Sequence, residues 1–210
     1  MEPAVRKKPL ETRERILDAA EDVFNEKGVS RTTLNEIAEA AGVTRGAIYW
    51  HFKNKVELFE AMVGRVRGPI RELMEKTADK NNEDPLGQLI AGHENFMKGV
   101  IDNSHFRKVL NILFHKCEYT DEDDGIVIQQ KEWQTYCNSM IENTLVNAQA
   151  KRQLPEELDL GLASRLMGFT FTGLLKSWLF MPDGFDLVED TKKVNNALIG
   201  LLQHSPDLRK

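Results

Sequence analysis

This 210-residue sequence predicts an all-α fold. Three observations carry that expectation. Apolar residues recur at i, i+3, i+4, i+7 and i+8 in one segment after another. The segments open on N-cap residues and close on glycine or proline. No strand-like alternation bounded by turn residues occurs.

Residues 10–27 place Ile16, Ala19, Ala20, Val23 and Phe24 on one helical stripe, and Gly28 stops the helix. Thr33-Leu34-Asn35-Glu36 has capping-box spacing and opens a short second helix that ends at Gly42. Thr44 caps a third short helix to about His51, and Asn54 caps a fourth to about Lys80. Two short helices joined by a tight glycine turn form a helix-turn-helix. Its core is expected from Val23, Phe24, Leu34, Ile37, Ala38, Val43, Ile48 and Phe52, leaning on Leu58 and Met62 of helix four. Gly68-Pro69 inside helix four predicts a kink or break, because proline removes one backbone hydrogen bond.

Asp84-Pro85 opens a helix near 86–102, and another is expected at about 104–117. Residues 118–124 read as an acidic loop. A long helix follows at 125–152 and is broken by Leu154-Pro155. Asp159 caps a helix to about Met181, and the last runs about 188–204. Helix 160–181 is apolar over nearly its whole circumference: Leu160, Leu162, Ala163, Leu166, Met167, Phe169, Phe171, Leu174, Leu175, Trp178, Leu179 and Phe180. It is expected to be buried on all sides, with one face meeting the same helix of a second subunit. Val194, Leu198, Leu201 and Leu202 of the last helix would join it in a four-helix homodimer interface. A monomer with a central core helix is the other solution.

Composition is that of an ordinary globular protein, with 29% charged and 41% hydrophobic residues. No apolar run approaches a membrane span, and MEPAVRKKPLETRER lacks a signal-peptide core, so a cytoplasmic location without membrane contact is expected. The net charge is −5, which argues against indiscriminate nucleic-acid binding. It is uneven, however: residues 1–55 hold 10 basic and 9 acidic residues, and the remainder 18 and 24. Because the N-terminal acids fall mostly in one helix, Arg6, Lys7, Lys8, Arg31, Arg45, Lys53 and Lys55 can make a local basic face. Cys117 and Cys137 make no disulfide framework. His115 and Cys117 sit at i, i+2 on different sides of a helix, which suits neither a metal nor a nucleophile pair. No CxxC, HExxH, P-loop or GxGxxG occurs. The chain is therefore not expected to be an enzyme, and no cofactor or metal is expected.

The segment from Thr32 to Ala38, followed by VTRGAIYWHFKNK at 43–55, resembles the DNA-binding domain of the TetR family. Shorter matches at His115-Lys116-Cys117-Glu118, Gln153-Leu154-Pro155, Trp178-Leu179 and the terminal SPDLRK are similar to the branch that represses multidrug efflux pumps (AcrR/TtgR-like). The resemblance covers nearly the whole chain. It implies a DNA-binding domain at 1–55, including the start of linking helix 4, and an effector-binding and dimerisation domain at 56–210.

In a helix-turn-helix the second helix enters the major groove with its N-terminal residues at base edges. Arg45, first after the Thr44 cap, can reach guanine O6 and N7. Gly46 allows close approach, and Tyr49 lies one turn on, on the same face. Trp50 and His51 are phosphate or sugar neighbours as the resemblance implies; the residues alone allow packing instead. Lys55, with helix-four N–H groups, and Thr33, at helix two, would clamp phosphates. Residues 6–8 would form a flexible basic arm. Two such domains require a palindromic operator.

Beyond residue 85, bulky and small residues alternate, with His93, Asn111, Cys137, Thr172 and Lys176 interspersed. Periodicity alone favours an ordinary core with surface polar groups. The resemblance instead implies a pocket lined by Val66, Ile70, Leu89, Phe96, Leu110, Leu113, Phe114, Cys137, Ile141, Phe171, Thr172 and Lys176, with His93 and Gly168 added from the pattern. A small hydrophobic effector there would release the operator by shifting the Pro69 segment. The implied function is a repressor of a multidrug efflux gene. The alternative is a repressor answering one specific metabolite, or thiol oxidation at Cys117 and Cys137.

Overall fold

The computed structural model describes residues 4–118 and 124–210, with side chains described from Leu10 onward. Among the described residues there are nine α-helices and no strand: α1 (Ala4–Lys27), α2 (Leu34–Ala40), α3 (Arg45–His51), α4 (Lys55–Thr77), α5 (Pro85–Asp102), α6 (Ser104–Asn111), α7 (Gly125–Ala150), α8 (Leu160–Phe180) and α9 (Leu187–His204). A π-helical turn, Ile112–Lys116, extends α6, and a 3-10 turn, Pro206–Leu208, follows α9. No described helix is long and apolar enough to cross a membrane. The expected acidic loop has its centre, 119–123, outside the described residues.

The chain forms two compact bodies. The first runs through Arg67 and takes in His105–Gln130; the second comprises Gly68–Ser104 and Lys131–Lys210. This division falls within α4, after Arg67, and groups α6 with the N-terminal helices.

In the first body α1 packs on α2, and α2 on α3. Phe24, Ile37, Ile48, Phe52, Leu58 and Met62 are buried as the periodicity requires. Each such side chain contributes roughly 1.5–3 kcal/mol. Val43 differs: it is half-exposed at the turn. The capping box is complete, with Thr33 Oγ1 accepting from Glu36 N (3.3 Å) and Glu36 Oε2 accepting from Thr33 N (2.8 Å). Gly42 takes φ +62°, a left-handed turn open to glycine, and Arg15 Nη2 donates to the Ala41 carbonyl just before it (2.6 Å).

Arg65 gathers three acids of α1. Its Nη1 donates to Asp18 Oδ1 and Glu21 Oε1, both at 2.7 Å, and its Nη2 to Glu14. Burial works against the guanidinium charge, but the bonds to Glu14, Asp18 and Glu21 outweigh it and raise its pKa. Glu21 is fully buried, and its other oxygen lies 2.8 Å from His105 Nδ1 on α6. Lys108 pairs with Asp22, Asn111 Nδ2 donates to Asn25 Oδ1 (2.8 Å), and Val29 N donates to the Lys116 carbonyl (3.0 Å). These contacts lay α6 and the π turn along α1. The expected single helix at 104–117 therefore ends in a wider turn, which carries the Lys116 carbonyl to Val29.

In the second body one apolar cluster joins Leu86 and Leu89 of α5, Ile141, Leu145 and Ala148 of α7, Ala163 and Met167 of α8 and Leu202 of α9. Asp84, Asp159 and Asp186 cap α5, α8 and α9. The C-terminus is tied in: Asp159 N donates to the Leu208 carbonyl (2.8 Å), and Arg209 donates to the Leu202 and Gln203 carbonyls that end α9.

Two expectations need correction. Helix α4 does not break at Pro69; it continues to Thr77. Pro69 lies on the exposed side, where water can take the carbonyl it frees. The arm expected at residues 6–8 has helical backbone, as part of α1. Within one chain helix α8 leaves a face open, with Leu162, Phe169 and Phe180 exposed, the last two at 69% and 73%, as the expected contact with a second subunit requires.

Candidate DNA and effector sites

Helix α3 is seven residues long, and its orientation is set from inside. Ile48 is fully buried, so the residues flanking it at helical spacing face outward. Thr44 Oγ1 accepts from Ala47 N (3.2 Å) and fixes the first turn. Arg45, Gly46, Tyr49 and Trp50 are exposed, Trp50 at 72%. The Arg45 guanidinium sits 5.7 Å from the Tyr49 ring centre, a cation–π contact that extends the arginine from the helix start. Trp50 meets the half-buried His51 edge-on at 4.5 Å, so it is a surface ring and not core packing. Burial first, and the Arg13 charge second, lower the His51 pKa and keep the imidazole neutral at pH 7.

Lys55 and Thr33, the expected phosphate clamps, are engaged within the chain itself. Lys55 Nζ donates to the carbonyls of Val29 (2.8 Å), Ser30 and Thr32 (3.0 Å each), which uses all three of its hydrogens. The Thr33 hydroxyl donates to Glu36 Oε2 (2.9 Å). The Lys27 ammonium, then the Thr33 donors, hold the Glu36 carboxyl down to about 2, so a full negative charge stands at that helix start. Both residues organise the loop between α1 and α2. On α3, Arg45, Tyr49 and Trp50 carry exposed donor groups, beside the N–H groups that begin the helix.

The expected effector positions fall in both bodies. In the first, Val66 and Leu110 are buried and Leu113 and Phe114 half-buried. In the second, Leu89 and Ile141 belong to the apolar cluster, and His93 is buried. Ile70, Phe96, Cys137, Gly168, Phe171 and Thr172 are half-buried. The structure gathers His93, Phe96 and Phe171: Phe171 stands 4.4 Å from the His93 ring and 5.3 Å from Phe96. It does not gather Lys176, which lies on the exposed stripe of α8 with Phe169 and Phe180. Asn111 is likewise drawn away, to Asn25. Asp18, Glu21 and His105 lie close enough together to hold a metal ion, but the Arg65 guanidinium already bonds to both carboxylates.

Comparison with known proteins decides the family. Residues 16–62 match the bacterial regulatory proteins of the tetR family, and residues 84–204 match the C-terminal region of MAATS-type transcriptional repressors. The chain is 40% identical to the HTH-type transcriptional regulator TtgR of Pseudomonas putida, over 95% of each. The chain belongs to the TetR family. Among solved structures it is similar to NalD, the secondary repressor of the MexAB-OprM multidrug efflux pump in Pseudomonas aeruginosa. Identity is 33%, with 93% of this chain and 97% of that one covered and a TM-score of 0.82. It is also similar to SmeT, from Stenotrophomonas maltophilia, in its triclosan complex, with 32% identity, 93% of each chain and a TM-score of 0.86.

Within this TetR-family chain, sequence reasoning missed Asn195, Arg15 and Arg65. Asn195 is 4% exposed on α9, within hydrogen-bonding reach of His93. A signal existed: Thr191, Asn195, Leu198 and Leu202 share one helical stripe, and a polar residue in an apolar stripe asks for a partner. No comparable sign marks Arg15 or Arg65, whose partners lie far away in the sequence.

Proposed function

We propose that the chain is a homodimeric, ligand-responsive repressor of a multidrug efflux operon, working in the cytoplasm and without catalytic activity. The observation that carries the reading is α3: a buried Ile48 anchors a short helix that turns Arg45, Gly46, Tyr49 and Trp50 to solvent. Arg45 reads guanine, Tyr49 touches a thymine methyl or a phosphate, and Thr44, Trp50 and His51 stand beside the backbone. The efflux target rests on the kinship with TtgR and NalD.

Dimerisation uses the exposed apolar face of α8, Leu162, Phe169 and Phe180, together with Leu201 of α9. A face of this kind on one chain calls for a second copy. The effector is apolar and binds among the half-buried aromatic and aliphatic side chains of the sensor helices. It favours the non-binding state by its differential affinity for the two conformations. Binding to the DNA upstream of the protein's own gene, followed by fluorescence anisotropy, tests this. Tight, salt-sensitive binding to a palindrome, released by members of a panel of dyes, antibiotics, phenols and bile salts, is the expected result. Binding to a single non-palindromic site by one monomer would refute it.

A further inference from the structure

Ile48 is the one buried side chain within the seven residues of α3. A single anchor on the inner side leaves the tilt of a short helix to be fixed at its ends. Two arginines of α1 stand there. At the entry, the Ala41 and Gly42 carbonyls lie where α2 has no further N–H groups to meet them. Arg15 Nη2 donates to both, at 2.6 and 3.4 Å. The turn is shaped for that approach, since a Cβ at Gly42 would stand 3.3 Å from the same nitrogen. Val43, next in the turn, is half-exposed and gives it little apolar anchorage. At the exit, Phe52 caps α3 with its side chain 2% exposed. The Arg13 guanidinium lies over that ring, 5.3 Å from its centre. Two positions apart on a helix, side chains leave on nearly opposite sides, so one helix can reach both ends of another.

We propose that Arg13 and Arg15 are positioning residues for operator reading: from α1 they clamp the two ends of α3 and fix the tilt at which Arg45 meets a base edge. A basic side chain on a DNA-binding domain ordinarily serves as a phosphate contact. Here the Arg15 nitrogen is spent on carbonyls of the chain itself, and the Arg13 guanidinium on a buried ring. Bidentate reading of guanine tolerates little error in angle, because two N–H groups must meet O6 and N7 together. Contacts with phosphates tolerate more, since they depend on charge and reach. Loosening the clamp should therefore cost discrimination between base pairs before it costs affinity for DNA in general.

This inference rests on the reading of α3 as the base-reading helix and names what aims it. Its test uses the full-length protein, the duplex upstream of its own gene, and copies of that duplex with one G·C pair per half-site replaced by A·T. Anisotropy gives the ratio of the two affinities, at a temperature where circular dichroism shows each variant folded. Arg15→Met should lower the ratio about 10-fold at the pair that Arg45 reads, and Arg13→Leu about 3-fold. Binding to a duplex of unrelated sequence should change by less than about 2-fold in both. Arg15→Lys, which keeps a donor for the carbonyls, should recover much of the ratio. In an Arg45→Ala background Arg15→Met should change the ratio by less than about 2-fold, because no guanine reading is left to misplace. Should Arg15→Met fail to fold, Arg15→Gln, which keeps one N–H₂ group, takes its place with the same expected direction. A salt slope reduced by about 0.9 with the ratio kept would make Arg15 a phosphate contact and overturn the clamp. Ratios unchanged in both variants would overturn it too. If Arg45→Ala lowers the ratio and neither α1 variant does, the clamp alone fails. If Arg45→Ala leaves every ratio intact, the base-reading assignment fails and the clamp with it.

Discussion

In the first body a buried carboxylate, Glu21, meets a guanidinium and an imidazole; in the second a buried imidazole, His93, and a buried amide, Asn195, each keep a nitrogen unmet. Gln129 and Gln130 of the first body also hold an unmet atom each, but Gln129 donates to Glu60, and Gln130 accepts from Arg67, through another. In the first body Arg15, Lys55 and Arg65 bind carbonyls and carboxylates of that same body. The second leaves a polar pair and an apolar stripe open. A reader of DNA needs a rigid frame for one short helix, whereas a sensor needs groups that a ligand or a second copy can complete.

The largest expected effect breaks that comparison on the open side. Phe169→Glu puts a carboxylate on the exposed apolar stripe of α8. If the stripe is the homodimer face, each copy must desolvate a charge, a cost of about 5 kcal/mol for the pair. Sedimentation equilibrium should show monomers at micromolar concentration, with operator affinity lost in parallel. A dimer of unchanged stability would place the interface elsewhere.

Next comes the closed side. Arg65→Met leaves Glu21 buried and without its cation, which should cost about 4 kcal/mol in urea unfolding. Arg65→Met with Glu21→Leu should recover most of that loss, because the uncompensated charge goes with its partner. The exposed acids Glu14 and Asp18 should need no such rescue.

The two bodies also differ in their response to acid. The His93 pKa lies near 4, below the ordinary 6.5 for histidine. The unfolded chain therefore binds the proton first, so this group's contribution is complete above pH 6.5 and falls away as pH drops toward 4. The loss amounts to roughly 3 kcal/mol. His93→Leu should flatten the stability profile in that window. Glu36, held to about 2, acts lower, with its contribution present above pH 4.5 and lost on the way down to 2. Thermal melts from pH 7 to pH 3 separate the two. A profile that His93→Leu leaves unchanged would mean that the ring is solvated.

How much of this was legible follows from the range of each interaction. Thr33 with Glu36, Gly28, Thr44, Asp84 and Asp159 act within a few residues, so caps and stops appear in the sequence at their places in the fold. Ile48 and its exposed neighbours follow from helical period alone. Arg65 meets residues 44 to 51 positions away, and Lys55 reaches back 23 to 26, so neither contact has a local signature. The π turn after α6 meets Val29, far away in the sequence, and no periodicity reports that contact. Pro69 misled because the rule concerns a hydrogen bond, and an exposed helix face can surrender one to water.

Lys55 is where the closed body can be tested most finely. As a phosphate clamp it would contribute to the salt dependence of operator binding, and removing it would lower the slope by about 0.9 per lost contact. As the structure has it, the ammonium holds the carbonyls of Val29, Ser30 and Thr32, and it is half-buried there, with burial lowering its pKa. Lys55→Met should then cost about 1–2 kcal/mol of stability, from three carbonyls that lose their donor, and leave the salt slope as it was. Arg45→Ala is the control, expected to weaken operator binding by about 1–3 kcal/mol with no change in unfolding. If Lys55→Met reduces the slope and spares stability, the ammonium turns to DNA in the complex, and the first body is less closed than its free form.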